Sequence, residues 1–386
     1  MKCAKVRTVM TLRESKDPEI RYDPPEVKSF VKWQAEVETD KAVKILEHKD
    51  IVGHTQTDNK GLGHGAFKPF NKMTPKERKG VVVREVRSQQ EEARRLHLVE
   101  CSHQGQCVRW EENVIPRRIT WSELWKWTPA RTSFLLKSVY DSLPSPSNLV
   151  RWKISDNDQC ACGNAKGTLR HILTNCQWGL NKPVGDGRYL WRHDQVLKIL
   201  WEAIEQRIVE INETDAPKIE IIRSKIPFIR EGQKSYLKPK GKKVVVNDEW
   251  EGTWNAETDL TGNLSLPFVD SRQRPDVILY NQDRMRFIAV ELTICWEDNI
   301  EEAHNRKEDR YEELLASYME AGFDAECLTI EVGARGYIGH RLLKFLRRLG
   351  ITPTKIKELC NKIQKTVENC SYWIWLKRED QLWLET

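Results

Sequence analysis

The chain has 386 residues, 31% of them charged and 39% hydrophobic, with a net charge of +6. That length allows two or three domains with real cores, and a balance so modest says little by itself about partners. No apolar run reaches a membrane span and the N-terminus lacks a signal-peptide core, so a soluble, intracellular protein with no membrane association is expected.

Residues 1–110 are charged and mostly helical in pattern. One helix is expected after the prolines at 24–25, another at the Thr74–Pro75 cap. Between them the Gly-rich stretch 53–67 lacks the Gly-Lys-Ser/Thr ending of a phosphate loop and reads as a connector. Residues 111–158 form a Trp-rich helical linker: eight of the 15 tryptophans fall between Trp110 and Trp201. Most suit a core, and some suit stacking on unpaired bases. A Cys/His segment follows at 159–180. From 185 to 386 the pattern becomes a helix over 188–210, short β-like runs, a long helix and a final strand. No internal repeat is present. The fold class expected is α/β (α+β), preceded by a mainly helical region.

Ten cysteines at irregular spacing argue against a disulfide framework. Cys160, Cys162, His171 and Cys176 have the spacing C-x-C-x8-H-x4-C. Two thiolates at a Gly-Asn turn, then a His and a Cys five apart, can close a tetrahedral shell around structural Zn2+. The competing reading is a set of buried free thiols with His171 capping a helix.

Two stretches are basic. Residues 223–243, which include Lys240, Lys242 and Lys243, carry eight Lys or Arg against one Glu, and residues 341–365 carry eight against Glu358. Such stretches suit nucleic acid, or are simply solvated faces. "KPKGKK" at 238–243 also fits a weak nuclear-localisation pattern.

"RPDVILY" and "RFIAVELTI" read as two strands of a hairpin, with 14 residues between Asp276 and Glu291. The two acids could meet across the pair and share a hard divalent cation, Mg2+ or Mn2+. A PD-(D/E)xK site wants a lysine at 293, where this chain has Thr293. The next helix supplies one. It is expected to start at an Asp298–Glu301 capping box and to end at Gly322. Lys307 lies on its apolar stripe with Ala303, Tyr311, Leu314, Leu315 and Tyr318, where a lysine needs a partner. The alternative is a lysine snorkelling to solvent. Arg310 is placed for a phosphate contact and Tyr311 to brace the helix. Arg274, Lys240, Lys242 and Lys243 are further candidate phosphate contacts. Glu205, on the helix at 188–210, is a candidate extra ligand.

"RPD…ELT…HNRKEDRY" followed by "LTIEVGARG" resembles the restriction-like endonuclease of site-specific non-LTR retrotransposon polyproteins. In that family the catalytic lysine is displaced to the helix, in a Lys-x-x-Lys/Arg-Tyr motif matched here by Lys307, Arg310 and Tyr311. "CACGNAKGTLRHILTNC" is similar to the family's CCHC zinc knuckle, and the Trp-rich stretch to its linker. The resemblance covers about 110–350. It implies a restriction-endonuclease-like core over 185–386 and Mg2+-dependent hydrolysis of DNA in the nucleus, leaving a nick with a 3′ hydroxyl. RNA is a second candidate partner, and Arg335 would grip a flanking phosphate. Many relatives have Asp where this chain has Glu291. The chain also lacks the Tyr/Phe-x-Asp-Asp sequence of a polymerase palm, which suggests the C-terminal part of a polyprotein, truncated or kept as a separate product. The competing functional reading is a non-catalytic nucleic-acid-binding remnant.

Overall fold

The structure, a computed structural model, describes residues 2–14, 30–52, 69–101, 103–110, 112–117, 119–180, 187–213 and 248–380. The expected connector at 53–67 and the basic stretch 223–243, with Lys240, Lys242 and Lys243, lie outside the described residues. Two compact units are present, 1–105 and 106–386.

The first unit contains α1 (Lys2–Arg13), α2 (Phe30–Val52) and α3 (Pro75–Glu100). As the Thr-Pro signal predicts, Thr74 caps α3: its hydroxyl accepts from the Glu77 N–H, and the Glu77 carboxylate accepts from the Thr74 N–H at 2.7 Å. A small core of Val6, Met10, Ala42, Leu46, Val82 and Val86 joins the three helices.

The second unit begins with short helices: α4 (Cys107–Trp110), α5 (Trp121–Leu124), α6 (Pro129–Val139) and α7 (Pro146–Arg151). The Trp-rich stretch is broken into pieces because its prolines sit where helices start. Pro129 and Pro146 each follow a capping hydroxyl, Thr128 and Ser145. After the cysteine segment come α8 (Gln177–Leu180) and α9 (Arg188–Glu213).

The sheet follows: β1 (Asn255–Thr258), β2 (Val277–Asn281), β3 (Arg286–Cys295), then α10 (Ile300–Glu320) and β4 (Asp324–Gly333). Its order is β1-β2-β3-β4, antiparallel except for the parallel β3–β4 pair that α10 connects. This is a mixed α+β fold. Side chains alternate between its two faces, as the period of two requires. Val277, Leu279, Ile288, Val290 and Leu292 pack against one helical layer, while Ile278, Phe287 and Ala289 pack against α10.

The fold does not end on a strand, as the pattern suggested. Two more helices follow β4, α11 (His340–Arg348) and α12 (Pro353–Leu376). Their buried Leu342, Phe345, Leu346, Ile356, Ile363 and Val367 pack with α9 against the sheet. The lysines and arginines between them had made this region read as a basic stretch. A second core joins the linker to the cysteine segment and to α12 through Phe134, Leu135, Leu169, Leu173, Ile374 and Trp375. Linker, cysteine segment and sheet therefore share one compact unit.

The start of α10 differs from expectation. A 3-10 turn, Glu297–Asn299, precedes it, and Asn299 is the cap residue without a side-chain cap bond. The Asp298–Glu301 box does not form. Its end agrees with the sequence: Gly322 has φ +89° and the Phe323 N–H donates to the Tyr318 carbonyl at 2.9 Å.

Candidate functional site

The β2–β3 register pairs Val277 with Val290, so Asp276 stands opposite Glu291 one step beyond the paired residues. Asp276 follows Pro275, and its backbone carbonyl is fixed by the Thr258 hydroxyl at 2.9 Å and the Asp259 N–H at 3.0 Å. Its Oδ2 accepts from the Leu292 N–H at 2.6 Å, which draws the carboxylate onto β3 beside Glu291. Glu291 lies on the α10 face of β3 and is buried, 3% exposed.

From α10, Lys307 Nζ donates to Glu291 Oε1, and the Tyr311 hydroxyl donates to Oε2 at 2.7 Å. One turn of helix separates the two donors, so α10 grips both oxygens of one carboxylate. Tyr311 Oη also lies 3.0 Å from the Arg274 carbonyl, and Gln273 Nε2 donates to the Arg310 carbonyl at 2.6 Å. These two bonds fasten the loop before β2 to the helix. Burial pushes the Glu291 pKa up, and the Asp276 charge pushes it further; Lys307 and the bonds from Lys307 and Tyr311 pull it down. Burial, then the Glu291 charge, raises the Tyr311 pKa. The hydroxyl therefore stays a donor.

His193 of α9 was not singled out from the sequence. Its Nδ1 donates to Asp194 Oδ1 at 3.0 Å, and its Nε2 lies 3.2 Å from both Asp276 Oδ2 and the Leu292 carbonyl. Burial lowers its pKa, but the bonds to Asp194 and Asp276 outweigh it and raise the value to about 10. Glu205, the acid expected from this helix, is exposed and does not enter the site. Next to Glu291 the same sheet face carries a second polar group. Glu331 is 1% exposed and pairs in register with Thr293, while His304 Nδ1 of α10 lies 3.4 Å from Glu331 Oε1 and bonds the Thr329 hydroxyl. His304 sits one turn before Lys307, a spacing that could have pointed to it.

The remaining expected residues divide. Arg310 and Arg274 are exposed near the site: the Arg310 guanidinium lies 5.6 Å over the Tyr311 ring, and Arg274 Nη1 donates to the Gly262 carbonyl at 2.5 Å. Arg335, expected at a flanking phosphate, lies instead in the core. It is 3% exposed, stacked between Trp110 and Trp296 at 3.7 and 3.6 Å, and its Nε donates to Glu297 Oε2 at 2.7 Å. A guanidinium enclosed by two indoles and a buried carboxylate serves the core and has no route to a DNA phosphate.

Cys160, Cys162, His171 and Cys176 converge, with their ligand atoms all within 4.8 Å of one another. Cys160 and Cys176 sulfurs lie 3.8 Å apart, and Cys162 Sγ lies 3.3 Å from His171 Nε2. The first two cysteines sit on a small turn closed by Cys160 N–H to the Ala165 carbonyl at 2.8 Å, with Gly163 at φ +75°. That left-handed position is why a glycine follows the second cysteine. The π-helical segment His171–Asn175 carries the other half, oriented by the Thr168 hydroxyl, which accepts from the His171 N–H at 3.1 Å. Burial pushes the Cys160 thiol up to about 12. At Cys162 burial acts the same way, but backbone N–H groups of Asn164 and Gln177 aimed at the sulfur bring its pKa down. Three thiols and an imidazole in this arrangement can hold a metal ion such as zinc.

Fold and site together define a mixed α+β protein with Glu291 gripped by a helix-borne lysine beside Asp276, and with a separate Cys-Cys-His-Cys cluster. Comparison with known protein families and with curated proteins finds no match to this chain. Among the described residues, no helix is long and apolar enough to cross a membrane.

Proposed function

We propose that the protein is a metal-dependent DNA endonuclease of the PD-(D/E)xK type, related to the C-terminal region of site-specific non-LTR retrotransposon polyproteins, and acts in the nucleus. The observation that carries this reading is the convergence of Asp276, Glu291 and Lys307, with the lysine arriving from α10 in place of strand position 293. The element order α9-β1-β2-β3-α10-β4 also supports a restriction-endonuclease-like core.

Asp276 and Glu291 offer the hard oxygen donors that Mg2+ or Mn2+ prefers, and their mutual repulsion is the kind of charge a cation relieves. When bound, such a cation supplies Lewis-acid polarisation of the phosphate and a more acidic water. Lys307 offsets charge developing on the phosphate and orients the attacking water. Tyr311 fixes the Glu291 carboxylate, and His193 with the Leu292 N–H fixes Asp276. Arg310 and Arg274, exposed at the rim, contact flanking phosphates. The Cys-Cys-His-Cys cluster holds structural Zn2+, joining linker and sheet through the core they share.

The test is nicking of supercoiled DNA with Mg2+. The wild-type protein should nick, leaving a 3′ hydroxyl that a polymerase extends. Asp276→Ala should lose activity by roughly 100-fold or more. Wild-type protein that binds DNA without nicking in Mg2+ or Mn2+ would leave the non-catalytic reading instead.

A further inference from the structure

The start of α9 carries two side chains one turn apart on one face of the helix, Tyr189 and His193. His193 reaches the carboxylate site, where its Nε2 lies 3.2 Å from both Asp276 Oδ2 and the Leu292 carbonyl. Tyr189 reaches the cysteine cluster. Its hydroxyl accepts from the Cys176 N–H at 3.0 Å and donates to the Ile172 carbonyl at 2.8 Å, with the His171 carbonyl 3.3 Å away. His171 and Cys176 are two of the four residues of the cluster. One phenol therefore closes on the backbone that carries half of it.

The ring is fitted to its place. A Cβ at Gly179 would lie 2.4 Å from Tyr189 Cζ, so a glycine is what lets the phenol lie against α8. Roughly 100° round the helix, Arg188 Nη1 donates to the Lys377 carbonyl at 2.7 Å and Arg192 Nη1 to the Ser371 hydroxyl at 2.9 Å. Those bonds hold α9 against α12. Tyr189 pulls from another direction, and two directions of pull fix how the helix is turned about its axis. That turn decides whether His193 Nε2 meets Asp276.

We propose that Tyr189 is a positioning residue for the acid pair. By tying the start of α9 to the backbone of the cysteine segment it sets His193 against Asp276, so that metal in the cysteine cluster strengthens cation binding at Asp276 and Glu291. Metal held by the four ligands stiffens the backbone that the phenol grips, and the phenol passes that order to the helix. Such linkage is reciprocal: a cation at the acid pair strengthens metal binding by the cluster by the same factor. The proposal rests on the reading of both places as metal sites and adds the link between them.

The test is Mn2+ uptake by the full zinc-loaded chain without DNA, read from the electron paramagnetic resonance signal of free Mn2+. Loss of uptake in Asp276→Ala marks the part that belongs to the acid pair. Tyr189→Phe, which keeps the ring, should weaken that uptake about fivefold or more with zinc content unchanged by elemental analysis. His193→Gln should weaken it as well, and the double variant should bind no more weakly than His193→Gln alone. Saturating Mg2+ should make wild type hold zinc about fivefold more tightly against a zinc-selective chelator, and should make no difference in Tyr189→Phe. Losses that multiply in the double variant would overturn the proposal. So would a Tyr189→Phe variant with a lower melting temperature and wild-type Mn2+ affinity, the result of a role confined to packing. Uptake that Asp276→Ala leaves unchanged strikes the acid-pair reading and the link with it. An intact linkage without nicking strikes the nuclease reading alone, and normal uptake and nicking in Tyr189→Phe strike the link alone.

Discussion

Glu291 receives its two bonds from residues one helical turn apart, so the state of one carboxylate depends on where α10 sits. Tyr311→Phe removes one of those bonds and should cost about 1 kcal/mol of stability, read as a lower melting temperature. It should also slow nicking, because Glu291 loses its fixed orientation. His193 gives a pH signature in the metal-free protein. Its pKa rises from 6.5 to about 10 on folding. Its contribution to stability is therefore complete below pH 6.5 and is lost as pH rises through 10. Thermal unfolding from pH 6 to 10 should show that loss in wild type and a flatter profile in His193→Gln; identical profiles would contradict the assignment. Lys307 was legible because it breaks the apolar stripe of its helix. His193 was not, since an Arg-His-Asp run early in a helix looks like a solvated face, and its partner lies 83 residues away. Arg335 was misread for the opposite reason: nothing in its neighbours announced the two tryptophans, from 110 and 296, that enclose it.

At the scale of elements, the Thr74–Pro75 cap and the Gly322 stop held, whereas the Asp298–Glu301 box gave way to a 3-10 turn. Thr74–Pro75, Thr128–Pro129 and Ser145–Pro146 start helices, and Gly322 ends α10 at φ +89°. Gly322→Ala should cost about 1 kcal/mol, because nothing crowds the position and the left-handed backbone alone opposes a side chain. The short runs rich in Val and Ile at β2 and β3 gave away the hairpin. Helices α11 and α12 were masked by charge density, since the lysines and arginines of 341–365 are interspersed with the apolar residues that face the core. The cysteine cluster was legible from spacing, but its packing against Trp375 and Phe134 was not. That packing makes a prediction. Strong chelation, or Cys162→Ser, should remove one equivalent of zinc by elemental analysis and lower the melting temperature of the 106–386 unit by several degrees. Wild-type protein purified without bound metal, and unaffected by chelation, would contradict it.

The whole molecule is two compact units with unequal cores, eight buried residues in the cluster joining the first and a sheet flanked by two helical layers in the second. The carboxylate site and the cysteine cluster both belong to 106–386. A fragment with those residues should fold and keep nicking activity, measured beside the full chain. The sequence boundary at 110 and the structural one at 105 differ little. The expected separation of linker, cluster and nuclease core into distinct domains was less visible in space, because apolar residues spread over 134–375 assemble into one core. In the proposed nuclease, a lysine on α10 completes a metal-dependent site begun by Asp276 and Glu291. The most direct measurement is the single-turnover rate of Mg2+-dependent nicking by wild type and Lys307→Ala. A fall of roughly 100-fold in a folded, DNA-binding variant is the predicted result; an unchanged rate in Lys307→Ala would contradict it.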